Sequence, residues 1–322
     1  MSAQAPGAVV LVRPHHFHPN PQTQADNSFQ SAAVPGTDLS LAGRAYDEVS
    51  LVAATLQEHG VDVHLFDDDH DASPDSVFPN NWFSTHAGGH VALYPMYAPN
   101  RRSERRSDVI ELLKERYRVQ DVIDYSGLEH DKIYLEGTGA MVLDHVSRVA
   151  YVARSHRADP IALERFCTNF GYEPMVFDAV DEAGVACYHT NVMMCVATDF
   201  ALIGLDMITA AGRRLEIESR LAAPGRAVIR LSQAQIRNFV GNAIELHGAE
   251  GRILALSQRA FTALTPEQLA TIERSAQVVA LDVPTIELAG GSVRCMIAGI
   301  HLESRFLRPP VAAEAGARTL SV

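Results

Sequence analysis

The sequence repeats one order of secondary structure five times, in which a helical hydrophobic pattern ends at a glycine or polar turn and leads into a short apolar strand. The predicted helices span residues 41–58, 103–117, 160–170, 233–246 and 266–275, and the strands that follow them span 61–66, 119–123, 172–177, 252–256 and 277–281. Further strand-like runs lie at 8–12, 140–143, 149–153 and 192–196. The chain is therefore predicted to be a single catalytic domain, residues 1–322, of five strand-rich α/β units.

Local chemistry supports the predicted helix boundaries. A capping residue followed by proline begins two helices, at Asp159-Pro160 and Thr265-Pro266. Glycines stand where three helices are predicted to end, at Gly60, Gly171 and Gly248.

Composition excludes several classes of partner. The net charge of −12 repels nucleic acid and anionic membranes at long range. The N-terminus lacks the basic and apolar regions of a signal peptide, and no apolar run reaches the roughly 18 residues of a membrane span. Four cysteines without C-x-x-C spacing do not suggest a disulfide framework. These features predict a cytoplasmic protein with a small-molecule partner, which could form a homo-oligomer.

Two segments rich in potential metal ligands are predicted to be solvated loops. Residues 13–21 contain three histidines but no acidic or thiol partner at ligand spacing. The acidic run at 67–71 lacks the glycine and distal glutamate of a calcium loop. The sequence therefore predicts no metal site.

A cysteine near the C-terminal end is the candidate nucleophile. Gly290 and Gly291 precede Cys295 and allow the close approach of backbone and substrate. A thiol is only a few per cent ionised at neutral pH, so a nucleophilic cysteine needs an imidazole or another positive group nearby. His189 could serve, and Glu136, at a predicted strand end, could orient a substrate nitrogen or tune the histidine. The alternatives are a buried structural cysteine and a carboxylate that faces water.

In their order along the chain, these motifs resemble a known superfamily. The motifs are Phe78-x-x-Asn81, Glu136-Gly137, His189-x-Asn191 and Gly290-Gly291 before Cys295-Met296. The set is similar to the guanidino-group-modifying (pentein) superfamily, which includes arginine deiminase, dimethylargininase and the amidinotransferases. Residues 100–104 and 153–157 also resemble the arginine-containing segments of arginine deiminases. This resemblance implies that Arg101 and Arg154 grip the substrate carboxylate, which bidentate guanidinium geometry suits. The alternative is a pair of surface arginines.

One branch of the superfamily is closer still. Residues 12–14 with Asn20 and Thr23, together with 78–82, resemble the citrulline-utilisation hydrolases. The resemblance implies a five-bladed α/β propeller (the pentein fold) with pseudo-fivefold symmetry, a site on its axis and no cofactor. It also implies that Asn80 and Asn81 bind substrate.

The chain departs from the deiminase pattern at two positions. Asn81 and Asn191 stand where arginine deiminases place aspartates, which neutralise a buried guanidinium. An amide supplies a donor and an acceptor but no charge, which suits a neutral ureido group. The first hypothesis is therefore hydrolysis of a citrulline-type amino acid to ornithine, ammonia and carbon dioxide. Glu136 alone could balance a guanidinium, so an arginine deiminase or dimethylargininase-like hydrolase is the alternative. A non-catalytic binding module of the same fold is the second alternative.

Overall fold

The described part of the chain, residues 4–31 and 38–305 of a computed structural model, alternates short strands and helices. The strands are β1 Ala8–Pro14, β2 Asp62–Asp68, β3 Phe83–His86, β4 His90–Leu93, β5 Asp121–Asp124, β6 Val142–Asp144, β7 Val149–Ala153, β8 Glu173–Phe177, β9 Met194–Val196, β10 Phe200–Ile203, β11 Ala227–Arg230, β12 Ile244–Gly248, β13 Gly251–Ser257, β14 Gln277–Leu281 and β15 Ala298–Gly299. The α-helices are α1 Asp38–Glu58, α2 Ser107–Arg116, α3 Gly137–Ala140, α4 Pro160–Phe170, α5 Ala211–Ala222, α6 Gln233–Arg237, α7 Gln258–Ala263, α8 Pro266–Ile272 and α9 Val293–Met296.

The strands form five three-stranded sheets of one design. Their orders are β15-β1-β2, β3-β4-β5, β6-β7-β8, β9-β10-β11 and β12-β13-β14. In each sheet the middle strand pairs antiparallel with one neighbour and parallel with the other. In each sheet a helical crossover joins the two parallel strands, because strands that run in the same direction cannot be joined by a tight turn. The crossovers are α1, α2, α4, α5 and the pair α7 and α8. The predicted strand-rich α/β class is confirmed, and closure of the sheets into a propeller stays a prediction.

Helix α4 shows how the sequence sets these crossovers. The Asp159 side chain accepts a hydrogen bond from the Ile161 N–H, and Pro160 occupies the first helical turn. Gly171 ends the helix in the left-handed conformation, with φ of 64°. Between these caps, Leu163 and Phe166 face a buried cluster with strand residues of β7.

The prediction of a helix at 233–246 is wrong. A capping box between Ser232 and Gln235 begins α6, but Phe239 takes a φ of 60°, and the chain continues into strand β12. Gly241 packs backbone to backbone against Val192 and Met193, which a continuous helix would prevent. Gly248 consequently lies in the β12–β13 hairpin rather than at a helix end.

The crossover helix of this unit is α5, which the sequence pattern missed. Helix α5 buries only Ile217 and Leu221, and Leu215 is exposed, so its apolar stripe is too sparse to predict. The predicted helix at 103–117 also begins later, at Ser107, because Pro99–Glu104 forms a 3-10 helix. No helix within the described ranges combines the length and apolar character needed to cross a bilayer.

Candidate active site

Six of the eight predicted site residues, all except Arg101 and Arg154, lie in or beside a short turn that leads into a strand of an antiparallel pair. These turns are the 3-10 helix Pro79–Asn81 before β3, α3 before β6, the 3-10 helix Thr190–Val192 before β9, residues 238–243 before β12 and α9 before β15. Helix α3 contacts both 3-10 helices, and α9 contacts Pro79–Asn81. Contacts between these turns therefore bring together residues that are far apart in sequence.

Glu136 and His189 form a buried pair. His189 Nε2 donates to Glu136 Oε2 at 2.8 Å, and the Tyr97 N–H donates to Oε1 at 3.0 Å. Burial alone would raise the pKa of Glu136, but the charge of Arg157 and the hydrogen bond from His189 outweigh it and hold the pKa well below its usual range. Burial lowers the pKa of His189, although Glu136 opposes that effect. His189 is thus a neutral imidazole held by a carboxylate at neutral pH.

Two buried arginines surround this pair. Arg101 binds Glu104 through Nε and Nη2, both at 2.8 Å, and lies 3.6 Å from Asp75 and 3.8 Å from Glu136. Burial raises the pKa of Glu104 to about 8, against the opposing charge of Arg101. Because its guanidinium is engaged by three carboxylates, Arg101 is not placed to grip a substrate carboxylate as the sequence suggested.

The second arginine is Arg157, and Arg154 is not part of the site. Arg157 donates to Asp26 at 2.5 and 3.3 Å and to Glu136 at 3.5 Å. The Arg154 side chain is 59% exposed and binds Asp178 at the surface. The prediction that Arg154 binds substrate therefore does not agree with the structure, which turns Arg157 inward instead.

Two amides contact the Cys295 thiol. Asn191 Nδ2 lies 3.4 Å from Cys295 Sγ, and Asn242 Nδ2 lies 3.3 Å from it. Asn242 is fixed by the Asn191 carbonyl, to which it donates at 2.9 Å, and by the Arg294 N–H, from which its Oδ1 accepts at 3.1 Å. Amide N–H groups directed at a sulfur stabilise its thiolate, which is the nucleophilic form.

Asn80 and Asn81 are buried in the turn before β3. With its amide oxygen toward Arg101, Asn81 accepts from both Nη atoms at 3.1 and 3.3 Å and donates to Asn80 Oδ1 at 3.2 Å. Asn80 Nδ2 is buried with no hydrogen-bond partner among the described residues. Gly139 packs against this turn, and a Cβ there would lie 2.8 Å from His189 Nδ1 and collide with the Asn81 amide. Only glycine fits at this position.

One cavity joins these groups. Its lining residues are Thr23, Asn27, Asp75, Phe78, Asn81, Arg101, Arg157, Tyr188, His189, Ala289, Gly291 and Cys295. Glu136 is absent from the lining and lies behind His189, so it acts through the imidazole. The N-terminal loop forms one wall, because Asn27 donates to the Ala289 carbonyl at 3.2 Å and Asn20 donates to Asp75 at 2.8 Å. The cavity thus brings together a thiol, an imidazole, two guanidinium groups and the carboxylate of Asp75.

Potential metal ligands meet elsewhere. Among the described residues, Asp68, Asp69 and His70 have ligand atoms within 4.8 Å of one another, and two of the three are exposed. They belong to the acidic run that the sequence predicts to be a solvated turn.

A comparison of the sequence with protein families decides the classification. The family model described as "N,N dimethylarginine dimethylhydrolase, eukaryotic" matches residues 13–302, which is most of the chain. The chain belongs to this family. The resemblance to the pentein superfamily is thereby confirmed, whereas the citrulline-utilisation branch stays a prediction. No curated protein sequence matches the chain.

Solved structures of pentein proteins have the same fold as this family member. ArgZ, an arginine dihydrolase of the ornithine-ammonia cycle in cyanobacteria, matches in its apo form with a TM-score of 0.71 and 17% identity, over 92% of this chain and 40% of ArgZ. The substrate-bound N-terminal domain of ArgZ matches with a TM-score of 0.68 and 17% identity, over 92% of this chain and 98% of that domain. A dimethylarginine dimethylaminohydrolase adduct with S-methyl-L-thiocitrulline matches with a TM-score of 0.59 and 15% identity, over 93% of this chain and 100% of that chain. The chain thus spans less than half of full-length ArgZ.

Asn242 is the residue at the thiol that sequence reasoning missed. The signal was the fivefold repeat, since Asn242 occupies the turn before β12 that corresponds to the other site turns. The wrong helix at 233–246 concealed it.

We expect Asn242→Ala to slow alkylation of Cys295 by iodoacetamide at neutral pH by about tenfold or more. A hydrogen bond to a charged group contributes about 1.5–3 kcal/mol, so its loss lowers the thiolate fraction. The rate is measured by peptide mass spectrometry. Asn238→Ala is the control, because the Asn238 side chain bonds to Ala234 and Arg259 and does not line the cavity. An unchanged rate in a folded Asn242→Ala variant would show that Asn242 does not stabilise the thiolate.

Proposed function

We propose that this protein is a cysteine-dependent hydrolase of a C–N bond in a guanidino amino acid of the arginine type. The observation that carries the proposal is the charge around the cavity of Cys295 and His189. Three carboxylates, from Asp26, Asp75 and Glu136, lie against the two guanidinium groups of Arg101 and Arg157. Glu104 also pairs with Arg101, but burial raises its pKa to about 8, which favours its neutral form, so it is not counted as a charge. The carboxylates still outnumber the guanidinium groups by one, and this excess of negative charge favours a cationic substrate. The names of the family and of the structural neighbours, which act on arginine or dimethylarginine, support the same substrate class.

In this proposal Cys295 and His189 divide the chemistry. The Cys295 thiolate attacks the guanidino carbon, and the thiol proton passes to His189. As the C–N bond breaks, its electron pair goes to the leaving nitrogen, which takes the proton from His189. Water then attacks the thiouronium adduct, gives a proton to His189 and releases a ureido product and the thiolate. Glu136 orients His189 and stabilises its protonated form. Asp75, in the cavity wall, faces the substrate guanidinium.

A ureido substrate of the citrulline type is the second candidate. The groups that contact Cys295 Sγ are neutral amides, from Asn191 and Asn242, and the Asn81 amide lies nearby. An amide can donate to a ureido oxygen and accept from a ureido N–H. An enzyme that hydrolyses both groups in succession would release ornithine, ammonia and carbon dioxide from arginine.

We expect Asn191→Asp to move the preference toward arginine. A carboxylate at this position adds a charge beside the reacting carbon, which a guanidinium balances and a ureido group does not. Ratios of kcat/KM for arginine and citrulline, measured side by side, should shift by at least about tenfold. Asn238→Asp is the control, because Asn238 does not line the cavity and its side chain bonds to Ala234 and Arg259. Equal ratios in wild type and Asn191→Asp would remove Asn191 from substrate discrimination.

The proposed function is tested by a product screen over arginine, dimethylarginine, citrulline and agmatine. Release of ammonia or dimethylamine with a citrulline product supports the guanidino proposal, and release of ornithine from citrulline supports the ureido candidate. No product from any of the four compounds would favour the non-catalytic binding module.

The arrangement of the five sheets is part of the same proposal. We infer that the five sheets are the blades of a propeller, because each repeats one strand order and β15 pairs with β1, which joins the two ends of the described chain. The turns that carry the site would then meet on its axis. A single catalytic domain at 1–322, a cytoplasmic location and a homo-oligomer stay predictions.

A further inference from the structure

Arg294 and Cys295 are neighbours in sequence but line different cavities. The cavity beside Arg294 has a volume of about 40 Å³ and lies among the first residues of β6, β9 and β12. An adjoining cavity of about 20 Å³ shares Arg294, His145 and His301. Since a water needs about 10–15 Å³ of such volume, the larger space holds a group of roughly three water-sized atoms.

Among the described residues, Arg294 is partly exposed and differs from the buried arginines in having no acidic partner. Arg101, Arg157 and Arg226 each bind a carboxylate directly, from Glu104, Asp26 and Asp144. Among the described residues, no carboxylate lies within ion-pair distance of Arg294, whose Nη1 donates to the Ile297 carbonyl at 2.9 Å. Burial lowers the pKa of Arg294, because its charge is not balanced.

The acidic residue in the same cavity has other partners. Glu245 Oε2 accepts from the Thr198 N–H at 2.8 Å and from its hydroxyl at 2.6 Å, and Arg252 lies 3.8 Å from Oε1. Arg252 is bound more closely by Asp199, and Glu245 Oε1 has no hydrogen-bond partner among the described residues. Burial raises the pKa of Glu245, which weakens the negative charge that it brings to the cavity. On the opposite wall the rings of His145 and His301 stack at 3.8 Å, and the Tyr172 hydroxyl lies 2.9 Å from His145 Nδ1.

We propose that this cavity binds a small planar oxyanion, of the formate or bicarbonate class, with Arg294 as its cationic ligand. A guanidinium presents two parallel N–H groups that match the two oxygens of such an anion. The cavity volume admits an anion of three or four heavy atoms. This site is distinct from the substrate cavity and does not depend on the proposed function.

An anion bound in this cavity would change the reactivity of Cys295. The Arg294 N–H donates to Asn242 Oδ1 at 3.1 Å, and Asn242 Nδ2 contacts Cys295 Sγ at 3.3 Å. A positive charge near a cysteine favours reaction of its sulfur as a nucleophile. An anion that neutralises this charge should therefore make Cys295 less reactive.

The test is thermal unfolding of the whole protein in sodium formate or sodium bicarbonate, against sodium chloride at equal ionic strength and pH. We expect a saturable rise in Tm of about 2–4 °C with either oxyanion. The same oxyanion should slow iodoacetamide alkylation of Cys295 severalfold. Arg294→Gln should lose both responses, and Arg294→Lys should keep a weaker rise because it retains the charge without the paired N–H groups.

Equal responses to chloride and formate, or an undiminished formate response in Arg294→Gln, would overturn the proposal. If Arg294→Gln does not fold, Ala243→Val decides, because Ala243 lines the cavity and a larger side chain fills it while Arg294 remains. Loss of the formate response in Ala243→Val supports the site, and a full response contradicts it.

Discussion

Cys295→Ala should abolish turnover of every substrate that the wild-type protein hydrolyses, by roughly 10⁴-fold or more, which is the scale on which removal of a nucleophile acts in other covalent hydrolases. The thiol is buried at 2% exposure, receives two amide N–H contacts and lines the same cavity as His189. No other described thiol lines this cavity, so none replaces it. The measurement is a steady-state assay of ammonia or amine release on the purified variant.

Cys167→Ala is the matched control for this prediction. Cys167 is also buried, at 5% exposure, but it packs in an apolar cluster, where burial raises the pKa of its thiol to about 12. Its removal should leave the rate nearly unchanged. Cys295→Ala that keeps more than a few per cent of wild-type activity would exclude covalent catalysis by this residue.

His189→Ala should lower kcat by roughly 10²–10⁴-fold, the typical contribution of general acid–base catalysis. The variant loses the group that takes the thiol proton and returns it to the leaving nitrogen. His130→Ala serves as the control, because His130 is exposed and does not line the cavity. A His189→Ala rate within a few-fold of wild type would assign the proton transfer to another group.

The pH profile of the wild-type enzyme provides a second readout for His189. Burial lowers the pKa of His189 from its ordinary value of 6.5 more than Glu136 raises it. Because the neutral imidazole accepts the proton, activity should persist as pH falls through 6.5 and decline only at lower pH. Glu136→Gln removes the group that raises this pKa, so it should move the acid limb of kcat/KM further down. An acid limb above 6.5 would contradict this assignment.

The sequence was sufficient to identify site residues that have both a reactive side chain and a recognisable position in the predicted fold. Cys295, His189 and Glu136 each combine a reactive side chain with the edge of a predicted strand, and the structure brings them to one cluster. The amide of Asn242 is not by itself a mark of a reactive site. Asn242 could be assigned to the site only after the sheet order showed that it lies in the turn before β12, which corresponds to the turns that hold Glu136, His189 and Cys295.

Contacts with residues distant in sequence explain where the site differs from the prediction. Arg154 and Arg157 lie three residues apart, and local sequence cannot tell which one turns inward. The choice depends on Asp26 and Asp178, which bind them from distant segments. The charge of the site is also a sum over distant segments. The two asparagines alone favoured a neutral substrate, whereas the surrounding carboxylates favour a cation.

Peptide mass spectrometry of the enzyme quenched with acid during turnover of arginine or dimethylarginine tests the central claim most directly. The account predicts a covalent thiouronium adduct on the peptide that contains Cys295, with the mass of the substrate less ammonia or dimethylamine, which is absent in Cys295→Ala. An adduct on Cys167, Cys187 or Cys195, or active turnover with no adduct on Cys295 at any quench time, would contradict it.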